Sequence, residues 1–284
     1  MTAEIATLGA ALAEAEGRLT AAGVRTPRVD AEWLLAGILD VGRNALAVNA
    51  MRPLGEMTAT RYADAVRRRA QREPLQRILG WEDFRGLRFR LTPDVLVPRP
   101  ETELLVEWAL GFLPEASASR RPRVIDVGTG SGCIAVTLAL ELTGSRVAAT
   151  DRSRAALALA RANARLLGAE VAFLAAHWAA PLRVEGFDLL VSNPPYLDPA
   201  GPVMPEVARW EPSPALWAGC GGLAAYRELL GSLAAARSGT PLLVEIGLGQ
   251  AAPLAELAAG TGWRVAAVHR DLAGIERVVE LRRV

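Results

Sequence analysis

The chain has 284 residues and a formal net charge of +1, and 51% of its residues are hydrophobic. Its length accommodates one large α/β domain and a smaller one, and its near-neutral charge excludes a general attraction to nucleic acid or to acidic membranes. Two cysteines and two histidines, far apart in the sequence, predict neither a disulfide framework nor a metal site. The N-terminus has no basic targeting region and no apolar run reaches membrane-spanning length. We therefore expect a soluble cytoplasmic protein without a metal.

Residues 1–80 show helical periodicity only. Thr26 and Pro27 have the residue types of an N-cap and a first helical position, and Pro74 follows the last helix. The segment therefore predicts a helical bundle, which is so small that it depends on its neighbour for stability. The predicted helices span residues 8–19, 27–42, 45–50 and 58–73.

The segment from Arg61 to Arg90 is rich in arginine. It holds nine arginines against four acidic residues, a local excess of five positive charges. Such a run is typical of a solvated helix face, and we favour this interpretation over a dedicated surface for RNA or a protein partner.

Residues 81–98 change to a period of two, which predicts a β-hairpin connector that turns at Arg85 and Gly86, with a further extended segment at Val95–Val97. A helix is expected to begin next, because Pro100 lies in its first turn with glutamates beside it, and to continue to Phe112. The following residues, 114–122, predict a loop.

The core of the chain begins with a glycine-rich turn. A buried strand, Val124–Val127, enters Gly128, Gly130 and Gly132, and a helix begins near Cys133. Glycines in such a turn let a ligand lie against the main chain at the N-terminus of the helix. Dinucleotide sites require Gly-x-Gly-x-x-Gly. The spacing here is Asp-x-Gly-x-Gly-x-Gly, which resembles motif I of S-adenosylmethionine-dependent methyltransferases.

The elements that follow alternate between strands and helices. The strand 146–150 ends at Asp151, where a carboxylate is suited to accept both hydroxyl groups of a ribose. Only six residues separate the last two predicted strands, so these must be antiparallel. The pattern predicts a mostly parallel sheet with an antiparallel terminal hairpin strand. Its remaining elements are a helix at 153–167, strands at 171–175 and 187–192, a helix at 223–236, a strand at 241–246, a helix at 250–259, and strands at 263–268 and 276–281.

The strand Phe187–Ser192 opens into a stiff loop, Asn193, Pro194, Pro195 and Tyr196. The side-chain oxygen of Asn193 and the carbonyl oxygen of Pro194 can each accept one N–H bond of a planar NH2 group. Tyr196 offers a flat face to a flat substrate. The loop predicts a clamp for an amide or amino group, with Asn193 and Pro194 as its catalytic acceptors. The long proline-rich segment after it, as far as Gly222, is expected to form a lid or a substrate rim.

Taken together, these segments resemble the HemK/PrmC family, the protein-(glutamine-N5) methyltransferases that act on peptide chain release factors. Asn-Pro-Pro-Tyr alone also occurs in adenine and guanine amino methyltransferases. The Pro-Arg-Pro-Glu-Thr-Glu segment and the helical N-terminal domain are far more specific. The resemblance runs through Val97–Glu103, Asp126–Gly132, Asn193–Tyr196, Glu245–Gly247, Gln250 and Asp271–Gly274 with Arg277.

The resemblance implies a Rossmann-like class I methyltransferase domain at 99–284, after a substrate-recognition domain at 1–80 and a connector at 81–98. It implies S-adenosylmethionine as cofactor, class 1 release factors as partners, a monomer, and no required membrane or nucleic acid. His177 stands where many relatives have an aspartate that contacts adenine, so that contact is not assigned. The implied cofactor residues are Gly128, Thr129, Gly130, Ser131, Gly132, Asp151, Trp178 and Asn193, and substrate glutamine would contact Asn193, Pro194, Pro195 and Tyr196.

Two other interpretations stay open. A nucleic-acid amino methyltransferase would use the same loop on adenine or guanine, but it would be expected to carry a basic groove or a larger recognition domain. A nucleotide-binding module without catalytic activity would not explain an amide clamp beside the glycine turn.

Overall fold

The computed structural model describes residues 7–112 and 121–284. Most of the loop predicted at 114–122 therefore lies outside the described residues. The chain divides into two compact units, one formed by residues up to Trp81 with Val203–Trp210, the other by Glu82–Pro202 with Glu211–Val284. Among the described residues, no helix is long and apolar enough to cross a membrane.

The first unit is helical. Apolar residues at helical spacing, such as Leu12, Leu19 and Leu34, are buried in its core. The predicted third and fourth helices begin two residues earlier than expected. A fifth helix was missed, because Pro74 does not simply terminate the fourth but precedes a further short turn of helix. The helices are α1 (Leu8–Ala21), α2 (Pro27–Leu39), α3 (Arg43–Val48), α4 (Glu56–Ala70) and α5 (Leu75–Leu79).

The connector forms a hairpin of two strands, β1 (Trp81–Phe84) and β2 (Leu87–Arg90). The prediction of a further extended segment at Val95–Val97 is wrong, because these residues do not form a strand. Val95 and Val97 are buried, but proline lies on both sides of the segment, at 93 and 98, and removes backbone donors that a ladder requires. The N–H of Val97 instead donates to the carboxylate of Glu211 at 3.4 Å.

The second unit contains a seven-stranded sheet in the order β5-β4-β3-β6-β7-β9-β8. All pairs are parallel except those that β9 makes with β7 and β8. The predicted fold class, a mostly parallel sheet with an antiparallel hairpin strand, is confirmed. Its strands are β3 (Arg123–Val127), β4 (Arg146–Asp151), β5 (Val171–Ala175), β6 (Leu189–Ser192), β7 (Pro241–Glu245), β8 (Trp263–Arg270) and β9 (Glu276–Arg283).

Helices cover both faces of this sheet. Successive residues of one strand point to opposite faces, so Leu189 and Val191 lie in one buried cluster and Leu190 lies in the other. The helix predicted at 223–236 ends four residues early, at Ser232. The helices are α6 (Pro100–Phe112), α7 (Cys133–Glu141), α8 (Arg154–Leu167), α9 (Pro205–Trp210), α10 (Ser213–Leu216), α11 (Ala224–Ser232) and α12 (Ala251–Ala259).

Arginines of the predicted basic run are engaged in ion pairs. Within the first unit, Arg69 is buried and its Nε donates to Asp30 at 2.6 Å, while Arg72 donates to Glu206 of α9 at 2.7 Å. Arg68 donates to Glu73 at 2.8 Å. These pairs neutralise much of the local positive charge. The prediction of a solvated face does not hold at Arg69, which is buried against Asp30.

Candidate functional site

A cavity of about 580 Å³ opens at the carboxyl ends of the parallel strands in the second unit. The chain passes from β3 to β4 on one side and later returns to β6 on the other side of β3. Ligands of open α/β sheets bind at such a reversal of strand order, and the volume lies within the range of small-molecule sites. Predicted site residues that line it are Gly128, Thr129, Gly130, Ser131, Asp151, Trp178, Asn193, Pro194 and Pro195.

The three glycines of the turn have different roles. Gly128, Gly130 and Gly132 all have positive φ, at +83°, +56° and +86°, which favours glycine. A Cβ on Gly128 or Gly130 would meet no protein atom within 4 Å. A Cβ on Gly132 would lie 3.0 Å from the Cβ and 3.2 Å from the Cα of Ala160. The first two glycines thus leave room for a ligand, whereas Gly132, which does not line the cavity, permits close packing of the turn on α8.

This difference is testable. Gly132→Ala combines an unfavourable φ with overpacking against α8 and is expected to lower the unfolding free energy by about 2 kcal/mol or more. Gly130→Ala places its methyl group in the cavity and is expected to weaken S-adenosylmethionine binding at least about tenfold, with a smaller loss of stability. Thermal unfolding and calorimetric titration of both variants measure the two effects. Equal stability losses in the two variants would contradict this assignment.

Asp151 closes the glycine turn from the tip of β4. Its Oδ2 accepts the N–H of Gly130 at 2.9 Å and its Oδ1 accepts the N–H of Ser153 at 2.8 Å. A carboxylate has about four acceptor positions, so two remain for hydroxyl groups of a ribose. Asp151 therefore holds the turn as well as offering acceptors to a ligand.

Asp126, at the end of β3, is fully buried below the turn. Thr129 donates to its Oδ2 at 2.6 Å. Burial raises the pKa of Asp126 to about 7, against the lowering effect of hydrogen bonds from Thr129 and from the backbone N–H of Ala135.

Trp178 also lines the cavity. Its φ is +54°, in a region that bulky residues seldom adopt. Its Nε1 donates to Glu228 of α11 at 2.9 Å, and Nε2 of His177 lies 3.4 Å from the same carboxylate oxygen. The indole is thus fixed beside the cavity, and Glu228, which the sequence did not single out, is the residue that fixes it.

The clamp loop is anchored at its start. The Oγ of Ser192 donates to the carbonyl oxygen of Val127 at 2.7 Å and ties the end of β6 to the end of β3. Nδ2 of Asn193 donates to Oγ1 of Thr102 at 3.1 Å. This leaves the carbonyl oxygen of the Asn193 amide as the atom that can accept a bond from a ligand.

The loop is also anchored at its end. The Nε2 of Gln250 donates to the carbonyl oxygen of Tyr196 at 2.9 Å, and the Oε1 of Gln250 accepts the N–H of Gly247 at 2.9 Å. The hydroxyl group of Tyr196 donates to Glu245 at 3.2 Å. Tyr196 is only partly buried but is not among the cavity-lining residues, so in this structure its polar end supports the loop.

The residues present fit S-adenosylmethionine. Gly128 and Gly130 provide an open backbone cradle, Asp151 has acceptors for a ribose, and Trp178 offers an aromatic surface beside the same cavity. No cluster of three potential metal ligands occurs in the part of the chain that the structure describes.

Comparison with known proteins agrees with this geometry. Residues 10–80 match the family described as "PrmC N-terminal domain" and residues 102–206 match "Methyltransferase small domain". Among solved structures, a methyltransferase from Pyrococcus furiosus superposes with a TM-score of 0.52 at 15% identity, over 70% of this chain and 90% of that chain. A T. thermophilus 16S rRNA methyltransferase in complex with AdoMet and guanosine gives 0.50 at 19% identity, over 72% and 50%. These likenesses show the fold.

Some curated proteins have a much higher sequence identity to this chain than these solved structures have. The release factor glutamine methyltransferase of Geobacter sulfurreducens is 41% identical over 97% of this chain and 96% of its own length. That of Moorella thermoacetica is 43% identical over 95% and 96%. Both relatives are matched along almost their entire length. The chain therefore belongs to the release factor glutamine methyltransferase family, whose members use S-adenosylmethionine as the methyl donor.

Proposed function

We propose that this chain methylates the side-chain amide nitrogen, N5, of a glutamine in a peptide chain release factor. The observation that carries the proposal is the fixed amide of Asn193 at the cavity, whose NH2 group is engaged by Thr102 at 3.1 Å. We expect the carbonyl oxygen of this amide and that of Pro194, which also lines the cavity, to act as a pair of acceptors on one stiff loop. A pair of acceptors matches the two N–H bonds of a primary amide.

This clamp addresses the central difficulty of the reaction. The lone pair of an amide nitrogen is delocalised into the carbonyl group, so the nitrogen is a weak nucleophile. Asn193 and Pro194 accept both N–H bonds, which increases electron density on the nitrogen and restricts its orientation. Bound S-adenosylmethionine supplies a methyl group on a positively charged sulfur. The same acceptors stabilise the positive charge that develops on the attacking nitrogen.

A second candidate function is methylation of an amino group in nucleic acid, since this loop type also suits adenine or guanine. The ion pairs of Arg68, Arg69 and Arg72 and the net charge of +1 give this alternative no support. We propose that no nucleic acid is required, that the protein acts as a monomer and that it works in the cytoplasm.

Incubation of the purified chain with labelled S-adenosylmethionine and, separately, with a class 1 release factor, total RNA or DNA tests the substrate class. We expect label on the release factor alone. Label on RNA or DNA and none on the release factor would reverse the choice.

We also propose that the first unit, within residues 1–80, recognises the release factor and takes no part in the chemistry. Three large apolar side chains there lie almost fully in solvent, Val48, Met51 and Met57, with 86%, 82% and 79% exposure. Exposed methionines are frequent at protein-binding surfaces because the thioether chain adapts to its partner.

Replacing these three residues together with serine is expected to lower kcat/KM for the intact release factor about tenfold or more, because apolar contact area with the partner is lost. The affinity for S-adenosylmethionine should not change. Leu272→Ser, at a still more exposed apolar position in the second unit, is the control. An unchanged kcat/KM in the triple variant would contradict this docking surface. Deleting residues 1–80 is a less clean test, because it also removes the arginine partners of Glu206.

A further inference from the structure

A buried chain of hydrogen bonds runs from the clamp loop into the sheet. Nδ2 of Asn193 donates to Oγ1 of Thr102 at 3.1 Å, and that hydroxyl group donates to Oε2 of Glu245 at 2.7 Å. The hydroxyl group of Tyr196 donates to the other oxygen of Glu245 at 3.2 Å. Thr102 is 2% exposed and Glu245 is 1% exposed, so water does not compete for these bonds.

The donors available decide which group donates and which accepts in each of these hydrogen bonds. A carboxylate only accepts hydrogen bonds, so the single O–H of Thr102 must point at Glu245 when Glu245 is ionised. The lone pairs of Thr102 then face Asn193 and can pair only with the NH2 end of its amide. The oxygen end of Asn193 is thereby turned away from Thr102. Without this constraint the two ends of the amide, which are nearly equal in size, could exchange.

We propose that Thr102 and Glu245 are positioning residues that decide which end of the Asn193 amide faces the substrate. This inference rests on the proposed function of Asn193 as an acceptor. If the amide were reversed, its NH2 group would meet the NH2 group of the substrate glutamine, and two donors would oppose each other. The clamp would then lose one of its two acceptors while remaining in place.

The surroundings of Glu245 add a pH dependence. Burial raises its pKa to about 7, while the hydrogen bonds from Thr102 and Tyr196 act in the opposite direction. Protonated Glu245 can donate a hydrogen bond to Thr102. Thr102 can then donate to the oxygen of Asn193, so that every hydrogen bond in the series points the other way. Activity is therefore expected above this pKa and is expected to fall as the pH drops through it. The other titratable or charged groups around Glu245 are Glu101, Cys133, Tyr226 and Arg277.

The test compares three variants of the full chain. Thr102→Val keeps the shape of the side chain but removes the hydroxyl group, and kcat is expected to fall about 10-fold to 100-fold. Thr102→Ser restores the hydroxyl group and should recover kcat to within about fivefold of the parent. KM for the release factor and the Kd of S-adenosylmethionine should change less than about threefold in both. In Glu245→Gln the fall in kcat below pH 7 should disappear. Unfolding temperatures show whether each variant is folded.

A double-mutant cycle separates this inference from the proposed function. If Thr102 acts through Asn193, Thr102→Val should change kcat less than about threefold when Asn193 is already alanine. Full additivity of the two losses, or a parent-like kcat in Thr102→Val, would overturn the inference. A serine variant with no recovery would do the same, even if the valine variant does not fold. If Asn193→Ala itself retains full activity, the proposed function fails first.

Discussion

Replacing Asn193 with alanine is expected to lower the turnover number for release factor methylation by about 100-fold to 1000-fold. The change removes one of the two acceptors on the clamp loop and leaves the loop anchored by Ser192 and Gln250. In the proposed role Asn193 accepts a bond from the reacting nitrogen, so the loss should appear in kcat, with a much smaller change in the Kd of S-adenosylmethionine. Single-turnover kinetics with a saturating release factor measures the first quantity and calorimetry the second.

Asn193→Asp is a poorer probe, because it adds a negative charge beside a cationic cofactor and also changes the contact with Thr102. Tyr196→Phe, assayed well above pH 7 so that Glu245 stays ionised, is a suitable control on the same loop, because it removes only the bond to Glu245 and spares both acceptors. It should lose less activity than Asn193→Ala. An alanine variant that methylates at nearly the parent rate would show that the loop is only a turn.

Asp151→Ala should raise the Kd of S-adenosylmethionine by about 100-fold or more. Each hydrogen bond from a ribose hydroxyl group to a carboxylate contributes about 1.5 to 3 kcal/mol, and two would be lost. The structure adds a second reason, since Asp151 also accepts the N–H groups of Gly130 and Ser153. Some loss of thermal stability is therefore expected along with the loss of affinity.

Asp151→Asn is an intermediate case for both roles of Asp151, because its amide keeps only one of the two oxygens. The asparagine oxygen can still accept one bond, so its Kd should lie between those of the parent and the alanine variant. Calorimetric titration of all three proteins gives the order. An alanine variant that binds S-adenosylmethionine as tightly as the parent would rule out the ribose assignment.

The local elements of the second unit could be predicted because local sequence determines them. The apolar run before Gly128 and the proline pair after Asn193 mark strand ends, whatever the rest of the chain does. The position of β9 between β7 and β8 was not predicted, because the order of strands depends on long-range pairing. Short helices such as Leu75–Leu79 were missed because five residues give too little periodicity.

The residues that support the site were harder to predict than the residues that form it. Thr102 and Glu245 are 143 positions apart in the sequence, and only the packing of α6 against the sheet brings them together. Thr102 lies in Val97–Glu103, one of the segments that carry the family resemblance. Nothing in that segment indicates a hydrogen bond to Asn193. Glu206, in the proline-rich stretch after the clamp, gave no signal of its pairing with Arg72. Such contacts depend on tertiary structure and have no local pattern.

Mass-spectrometric mapping of the methyl group tests the central claim most directly. A class 1 release factor is incubated with the purified chain and with S-adenosylmethionine that carries a deuterated methyl group, then digested and fragmented. We expect the deuterated methyl group on the side-chain amide of a glutamine, and none when the Asn193→Ala variant replaces the parent over the same time. Transfer to another side chain, to the backbone or to no part of the release factor would contradict the account.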